Sequence, residues 1–152
     1  MFAITRSAID VQTASRKLTH PRAGACVSFE GWVRNHHEGR AVSHLEYEAY
    51  ENLCLKEADS IRREAVEKFD IMDLHCVHRI GRCDIGDLAV WVGVTAEHRD
   101  AAFHACEYYM NQLKVRVPIW KKETYLTGEA EWVRCETCAQ HEHVAHAGHH
   151  HD

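Results

Sequence analysis

The segment Lys114-Val115-Arg116-Val117-Pro118-Ile119-Trp120-Lys121-Lys122-Glu123 gathers three lysines and an arginine around a helix end, a proline and a tryptophan. Cations near a helix C-terminus offset its dipole, which by itself would account for Lys114 and Arg116. A lysine held beside apolar neighbours and other cations can also act as an acid, a base or a nucleophile. On spacing alone, a capped helix end followed by a solvated strand is the favoured reading. A second group, Glu97-His98-Arg99-Asp100, follows an apolar run and falls in the first turn of an expected helix. Free backbone N–H groups there favour anions, and His98 and Arg99 add donors. A phosphate site and a plain solvated surface both fit that pattern. A third group is Gly31-Trp32-Val33-Arg34-Asn35-His36-His37. Arg34 ends a strand and enters a polar loop, where functional residues concentrate. His36 and His37 are adjacent, so on extended chain they point apart and do not share a metal. His78, in His78-Arg79-Ile80-Gly81, reads as a hydrogen-bonded histidine on a sheet face.

Cysteine chemistry has little support. None of Cys26, Cys54, Cys76, Cys83 or Cys106 has a neighbouring base and oxyanion motif. Cys54 and Cys106 fall on helical apolar stripes and read as core. The tail differs. Cys135-x-x-Cys138 followed by His141 and His143 has zinc-ligand residue types. The expectation is adventitious divalent metal on this tail and no cofactor required for the chemistry.

The elements that must position these groups follow from hydrophobic periodicity. Residues 2–5 form a short strand. Ser7 with Asp10 resembles a helix start, and Val11, Ala14 and Leu18 make an apolar stripe. Residues 25–34 and 42–50 alternate in polarity and are expected to pair as an antiparallel hairpin across a polar loop. Residues 51–69 form a helix with Cys54, Ala58, Ile61 and Ala65 on one face. Residues 71–80 form a strand, and Gly81 and Gly86 flank a turn. Residues 88–95 are nearly all apolar, as in a central strand buried on both faces. A second long helix carries Ala102, Cys106, Met110 and Leu113 and ends before Pro118. Residues 119–125 are extended, Thr127-Gly128 turns, and residues 131–133 close with a short strand. The order is mixed, giving an α+β fold with a largely antiparallel sheet and helices against it. The domain spans residues 1–134. Residues 135–152 form a Cys/His-rich tail whose composition predicts disorder.

The chain has 152 residues, 45% of them hydrophobic, and a net charge of -5. That suits one domain with a real core. It argues against a general nucleic-acid binder, which would carry a basic excess. The longest apolar run, Leu88 to Val94, is too short to span a bilayer, and residues 1–6 do not read as a signal peptide. An odd count of seven cysteines favours reduced thiols in a cytoplasmic setting.

Five segments together resemble one family, the large catalytic subunit of molybdopterin synthase. They are Gly24 to Arg34, Leu45-Glu46-Tyr47-Glu48-Ala49-Tyr50, His78-Arg79-Ile80-Gly81, His98-Arg99, and Lys114 with Val117-Pro118-Ile119-Trp120-Lys121-Lys122-Glu123. Each is weak alone; five in order are specific. The resemblance covers roughly residues 2–133. It implies an α/β hammerhead-type core with an added antiparallel β subdomain. It implies transfer of two sulfurs to cyclic pyranopterin monophosphate from a small ubiquitin-like subunit ending in a Gly-Gly thiocarboxylate. It also implies a homodimer of large subunits within a heterotetramer. Carried over by motif, Lys114 and Lys121 are the catalytic lysines. Trp32, Val33, Arg34, His98, Arg99, Lys122 and Glu123 join them in the substrate site. A single pocket of Arg34, His98, Arg99 and a helix N-terminus would suit the cyclic phosphate. Two rival readings are a metal-binding protein acting through its tail and an inactive scaffold for a ubiquitin-like partner.

Overall fold

The computed structural model describes residues 1–134, so the Cys/His-rich tail lies outside the described residues. Two sheets meet at a shared core. The first contains β1 (Phe2–Thr5), β5 (Asp73–Arg79), β7 (Leu88–Ala96) and β2 (Ala25–Trp32), in that spatial order. β1 runs parallel to β5, and the other pairs are antiparallel. The second contains β3 (His36–His37), β4 (Arg40–Ala49), β8 (Ile119–Tyr125) and β9 (Ala130–Arg134), with β6 (Gly81–Asp84) on the other side of β4. Among the described residues, no helix is long and apolar enough to cross a membrane.

Two long helices, α2 (Glu51–Lys68) and α3 (Arg99–Arg116), cover one face of the first sheet. The α2 stripe of Cys54, Ala58, Ile61 and Ala65 is fully buried, as the helical spacing requires. Small residues on this stripe let α2 lie close to the sheet. Ala102, Ala105, Cys106, Tyr109 and Leu113 do the same for α3. Arg116 ties the two helices together on the solvent side. Its guanidinium donates to both Glu64 oxygens, at 2.7 and 2.8 Å, and Tyr108 Oη donates to the same carboxylate at 2.8 Å. These bonds hold the Glu64 carboxyl down at about 2.

β7 is central, between β5 and β2, and is buried on both faces as its unbroken apolar run requires. Val92 and Val94 face the long helices. Trp91 faces the other way, onto Ala14 of the short helix α1 (Val11–Arg16) and Leu18 in the turn after it. The α1 cap is Asp10 rather than Ser7: its side chain accepts from the Thr13 backbone N–H at 3.2 Å.

The expected hairpin of residues 25–34 with 42–50 does not form. β2 pairs with β7, while β4 pairs with β6 and β8. Alternation marks a half-buried strand but not its neighbour. Here the chain leaves the first sheet at Val33, whose N–H donates to the Asp87 carbonyl at 2.9 Å. It enters the second sheet through a two-rung ladder of His36 with Ala41 and His37 with Arg40. Glu38 and Gly39 turn that corner with positive φ values of 49° and 78°. The expected turn between Gly81 and Gly86 contains β6, which supplies a fifth strand to the second sheet.

Gly93 shows how closely the α1 face of β7 is packed. A Cβ at this position would overlap the Trp91 indole and a Leu18 methyl group. Both neighbours are nearly inaccessible, at 0% and 2% exposure, so neither can swing out. Gly93→Ala is expected to cost about 1–3 kcal/mol of stability through overpacking. Urea denaturation of the two proteins measures it, and an unchanged midpoint would contradict this packing.

Candidate active site

β8 alternates, and its odd positions face inward. Ile119, Glu123 and Tyr125 are buried, and Lys121 lies with them. On β4 the residues paired with Ile119, Lys121 and Glu123 are Ala49, Tyr47 and Leu45, so these six share the inward face of the second sheet. The C-terminal turns of α3 lie opposite and present Met110, Leu113, Lys114 and Val117 at helical spacing. The end of β2 contributes Phe29, Gly31, Trp32 and Val33. Together these surfaces enclose a cavity of about 570 Å³. That is the size of a small-molecule site, with an apolar floor and a few polar groups.

The polar groups converge on Glu123, which is 1% exposed. Lys121 Nζ lies 3.4 Å from its Oε2, and Tyr125 Oη donates to its Oε1 at 2.8 Å. His37 Nδ1 stands 3.8 Å from the same Oε2 and 3.5 Å from an Arg34 guanidinium nitrogen. Burial and the Glu123 carboxylate push the Tyr125 phenol well up, so Tyr125 keeps its proton and acts as a donor. Arg34 and Lys114 also line the cavity, and neither has a carboxylate partner among the described residues. The site therefore combines one cation anchored to a buried carboxylate with two cations available to an anionic ligand.

The structure brings together Trp32, Val33, Arg34, Lys114, Lys121 and Glu123. It does not bring in Lys122, which points from the opposite face of β8. Lys122 Nζ is 3.8 Å from Glu46 and 5.8 Å from the centre of the Trp132 ring. Alternation alone separates it from Lys121 and Glu123. Nor do His98 and Arg99 reach this cavity. They begin α3, while Lys114 is in its last turn. Fifteen residues of helix place them about 22 Å apart. The single pocket of Arg34, His98 and Arg99 therefore does not assemble within one chain. His98 and Arg99 are exposed, and His98 makes no side-chain cap to the helix.

Three residues at the cavity were not assigned to it from sequence: Tyr125, His37, and His78, which is the hydrogen-bonded sheet histidine that the sequence suggests. The signal for His78 is present in Leu74-x-Cys76-x-His78-x-Ile80, four alternate positions that are all buried. Cys54, Cys76, Cys83 and Cys106 are buried as core, whereas Cys26 is exposed. Burial raises all five described thiols, Cys54 and Cys106 to about 11 and Cys76 to about 12. None therefore offers a ready thiolate at neutral pH. Among the described residues, no cluster of His, Cys, Asp and Glu could hold a metal ion.

An apolar cavity with lysines and an arginine at its polar end suits a small anionic molecule. The MoaE protein family model matches residues 4–116, and the chain belongs to that family. The molybdopterin synthase catalytic subunit of Aspergillus fumigatus is 40% identical over 129 residues, covering 85% of this chain and 69% of that protein. The crystal structure of molybdopterin synthase from Staphylococcus aureus superposes with a TM-score of 0.81 at 35% identity, covering 86% of this chain and 94% of that one. A protein–protein complex of subunits 1 and 2 of molybdopterin-converting factor from Helicobacter pylori includes a chain of the same fold. It has a TM-score of 0.73 at 20% identity, covering 88% of this chain and 90% of that one. The α+β architecture, a helix-covered mixed sheet with an added antiparallel sheet, is thus the one these relatives share.

His78 gives the site a pH signature. It is 7% exposed, and burial lowers its pKa from 6.5 to about 4. Between those values the unfolded chain binds a proton that the folded chain refuses, so stability falls as pH falls from 6.5 to 4. The loss at the acidic end is about 3 kcal/mol, at about 1.4 kcal/mol per unit. Urea unfolding from pH 7 to 4 should show this slope in the wild type and a shallower one in His78→Gln. Equal slopes would mean that His78 is not held neutral.

Proposed function

We propose that this chain is the catalytic subunit of a molybdopterin synthase and that the cavity between the two sheets is where sulfur transfer occurs. The substrate is cyclic pyranopterin monophosphate. The sulfur donor is the C-terminal thiocarboxylate of a small ubiquitin-like subunit, and two transfers make the dithiolene. The observation that carries this reading is the convergence of Lys114, Lys121 and Arg34 on one cavity with an apolar floor. The flat pterin suits the apolar walls, and its phosphate suits the two cations without carboxylate partners. The donor's tail is also anionic, so the same field draws it inward.

The chemistry needs charge stabilisation and proton delivery. Sulfur attacks a carbon of the pterin side chain, water hydrolyses the resulting thioester to release the donor as its C-terminal carboxylate, and opening the cyclic phosphate requires a proton for the leaving oxygen. Lys121 and Lys114 are the groups placed to serve these needs, with Glu123 orienting Lys121. No metal enters these steps, and the tail is accessory. His98 and Arg99 lie a helix length away, so they act on substrate only when a second copy of the chain presents them. That fits the homodimer implied by the family. The small-subunit partner and a cytoplasmic location belong to the same reading.

Lys121→Ala should lower turnover by about a hundredfold or more, the range typical of a lost proton-transfer group. Its urea midpoint should fall, because the buried Glu123 carboxylate loses a cation, but by far less than the loss of turnover. The assay mixes the chain with thiocarboxylated small subunit and the pterin phosphate and measures molybdopterin. Undiminished turnover, or a matching collapse of stability, would remove Lys121 from the chemistry.

A further inference from the structure

His78 lies in the wall of the same cavity, on β5, with its Cα paired to Val90 of β7. Its ring meets Tyr47 edge-on, at 5.2 Å between centroids and 76° between planes. Tyr47 and Val90 are themselves cavity walls. His78 Nδ1 is 2.7 Å from the Arg79 carbonyl oxygen. A carbonyl only accepts, so Nδ1 must carry the proton. In a neutral imidazole Nε2 is then an acceptor with a lone pair. Burial keeps the ring neutral at physiological pH. Among the described residues Nε2 has no hydrogen-bond partner, yet it is not one of the sealed, unpaired polar atoms there, which are Glu57 Oε2, Arg79 Nε, Trp91 Nε1 and Thr95 Oγ1. With the backbone bond fixing one side of the ring, the free nitrogen belongs to the cavity side.

We infer that His78 is a recognition residue of the cavity, whose Nε2 accepts a hydrogen bond from a ring N–H or amino group of the bound heterocycle. This rests on the pterin reading of the site. The other polar side chains of the cavity are mainly cations and carboxylates. Glu123, the buried carboxylate, is already committed to Lys121 and Tyr125. A neutral acceptor on an apolar wall has a different use. It selects a ligand edge that donates and rejects one that only accepts, because a mismatched edge leaves two lone pairs facing each other without water. Pterins carry such donors, whereas the phosphate and thiocarboxylate groups carry only acceptors. His78 therefore sets which way round the ring lies, and the cations set where the phosphate lies. It is a positioning residue and not a proton-transfer group.

Two substitutions separate recognition from folding. His78→Asn can keep a donor near the Nδ1 position for the Arg79 carbonyl but removes the Nε2 acceptor. His78→Gln can place an amide oxygen near the Nε2 position. The measurement is equilibrium binding of cyclic pyranopterin monophosphate, followed by ligand fluorescence without small subunit, with urea midpoints recorded for each protein. The expected result is a Kd about tenfold weaker for His78→Asn and near the wild-type value for His78→Gln. In the unaltered protein, the Nε2 resonance of ¹⁵N-labelled His78 should shift on saturation with the pterin, and this does not depend on any variant folding. An unmoved Nε2 resonance with tight wild-type binding, or wild-type affinity in a folded His78→Asn, would overturn the inference and leave the pterin reading intact. A wild-type chain that binds no pterin would overturn both.

Discussion

Glu123 occupies a buried inward position of β8, on the same face as Ile119, Lys121 and Tyr125. A carboxylate there loses its water and must be compensated by nearby donors and cations. The compensation organises the site. Lys121, two residues earlier on the same strand face, turns its ammonium toward Glu123 instead of into solvent. Tyr125, two residues later, donates its phenol. His37 comes in from β3, where the chain passes between the sheets, and brings Arg34 with it. One buried charge thus fixes a lysine, a tyrosine and a loop that otherwise would have many rotamers. The chemical consequence is a lysine oriented before substrate arrives, which is what electrostatic stabilisation of a transition state requires.

The remaining architecture serves that constraint. The first sheet and its two long helices form a rigid block, with β7 buried on both faces and the α2 stripe packed close against it. The second sheet could have flanked this block without making a site. It makes one because α3 ends beside the inward face of β8 and the chain turns at Pro118, so Lys114 and Lys121 lie on opposite walls of one cavity. Leu113 and Val117 at the helix end and Ile119 at the strand start keep the corner apolar and closed. The helix C-terminus carries a partial negative charge, which favours Lys114 and Arg116 there. The local effect and the functional one point the same way, and sequence spacing could not separate them.

Much of the element content was legible because periodicity reports burial. The stripe of Cys54, Ala58, Ile61 and Ala65, the apolar run of β7 and the stop before Pro118 all appear where the pattern places them. Strand pairing was not legible. Alternation in β2 and β4 is equally consistent with a hairpin and with two sheets, and the decision falls to long-range contacts such as Val33 with Asp87. Of the residues named by motif resemblance, Lys114, Lys121, Arg34 and Glu123 line one cavity, while others lie apart from it within one chain. The pleat of β8 sends Lys122 to the other face, and the length of α3 carries His98 and Arg99 away. Both separations follow from the periods of the strand and the helix.

The central claim is that Glu123 acts through Lys121. A double-mutant cycle on turnover tests it most directly, using Glu123→Gln, Lys121→Ala and the pair, with urea midpoints as a control. If the account holds, Glu123→Gln lowers turnover in the wild-type background and has almost no further effect once Lys121 is gone. An equal fractional loss in both backgrounds would mean that the buried carboxylate and the lysine act independently, and would contradict the account.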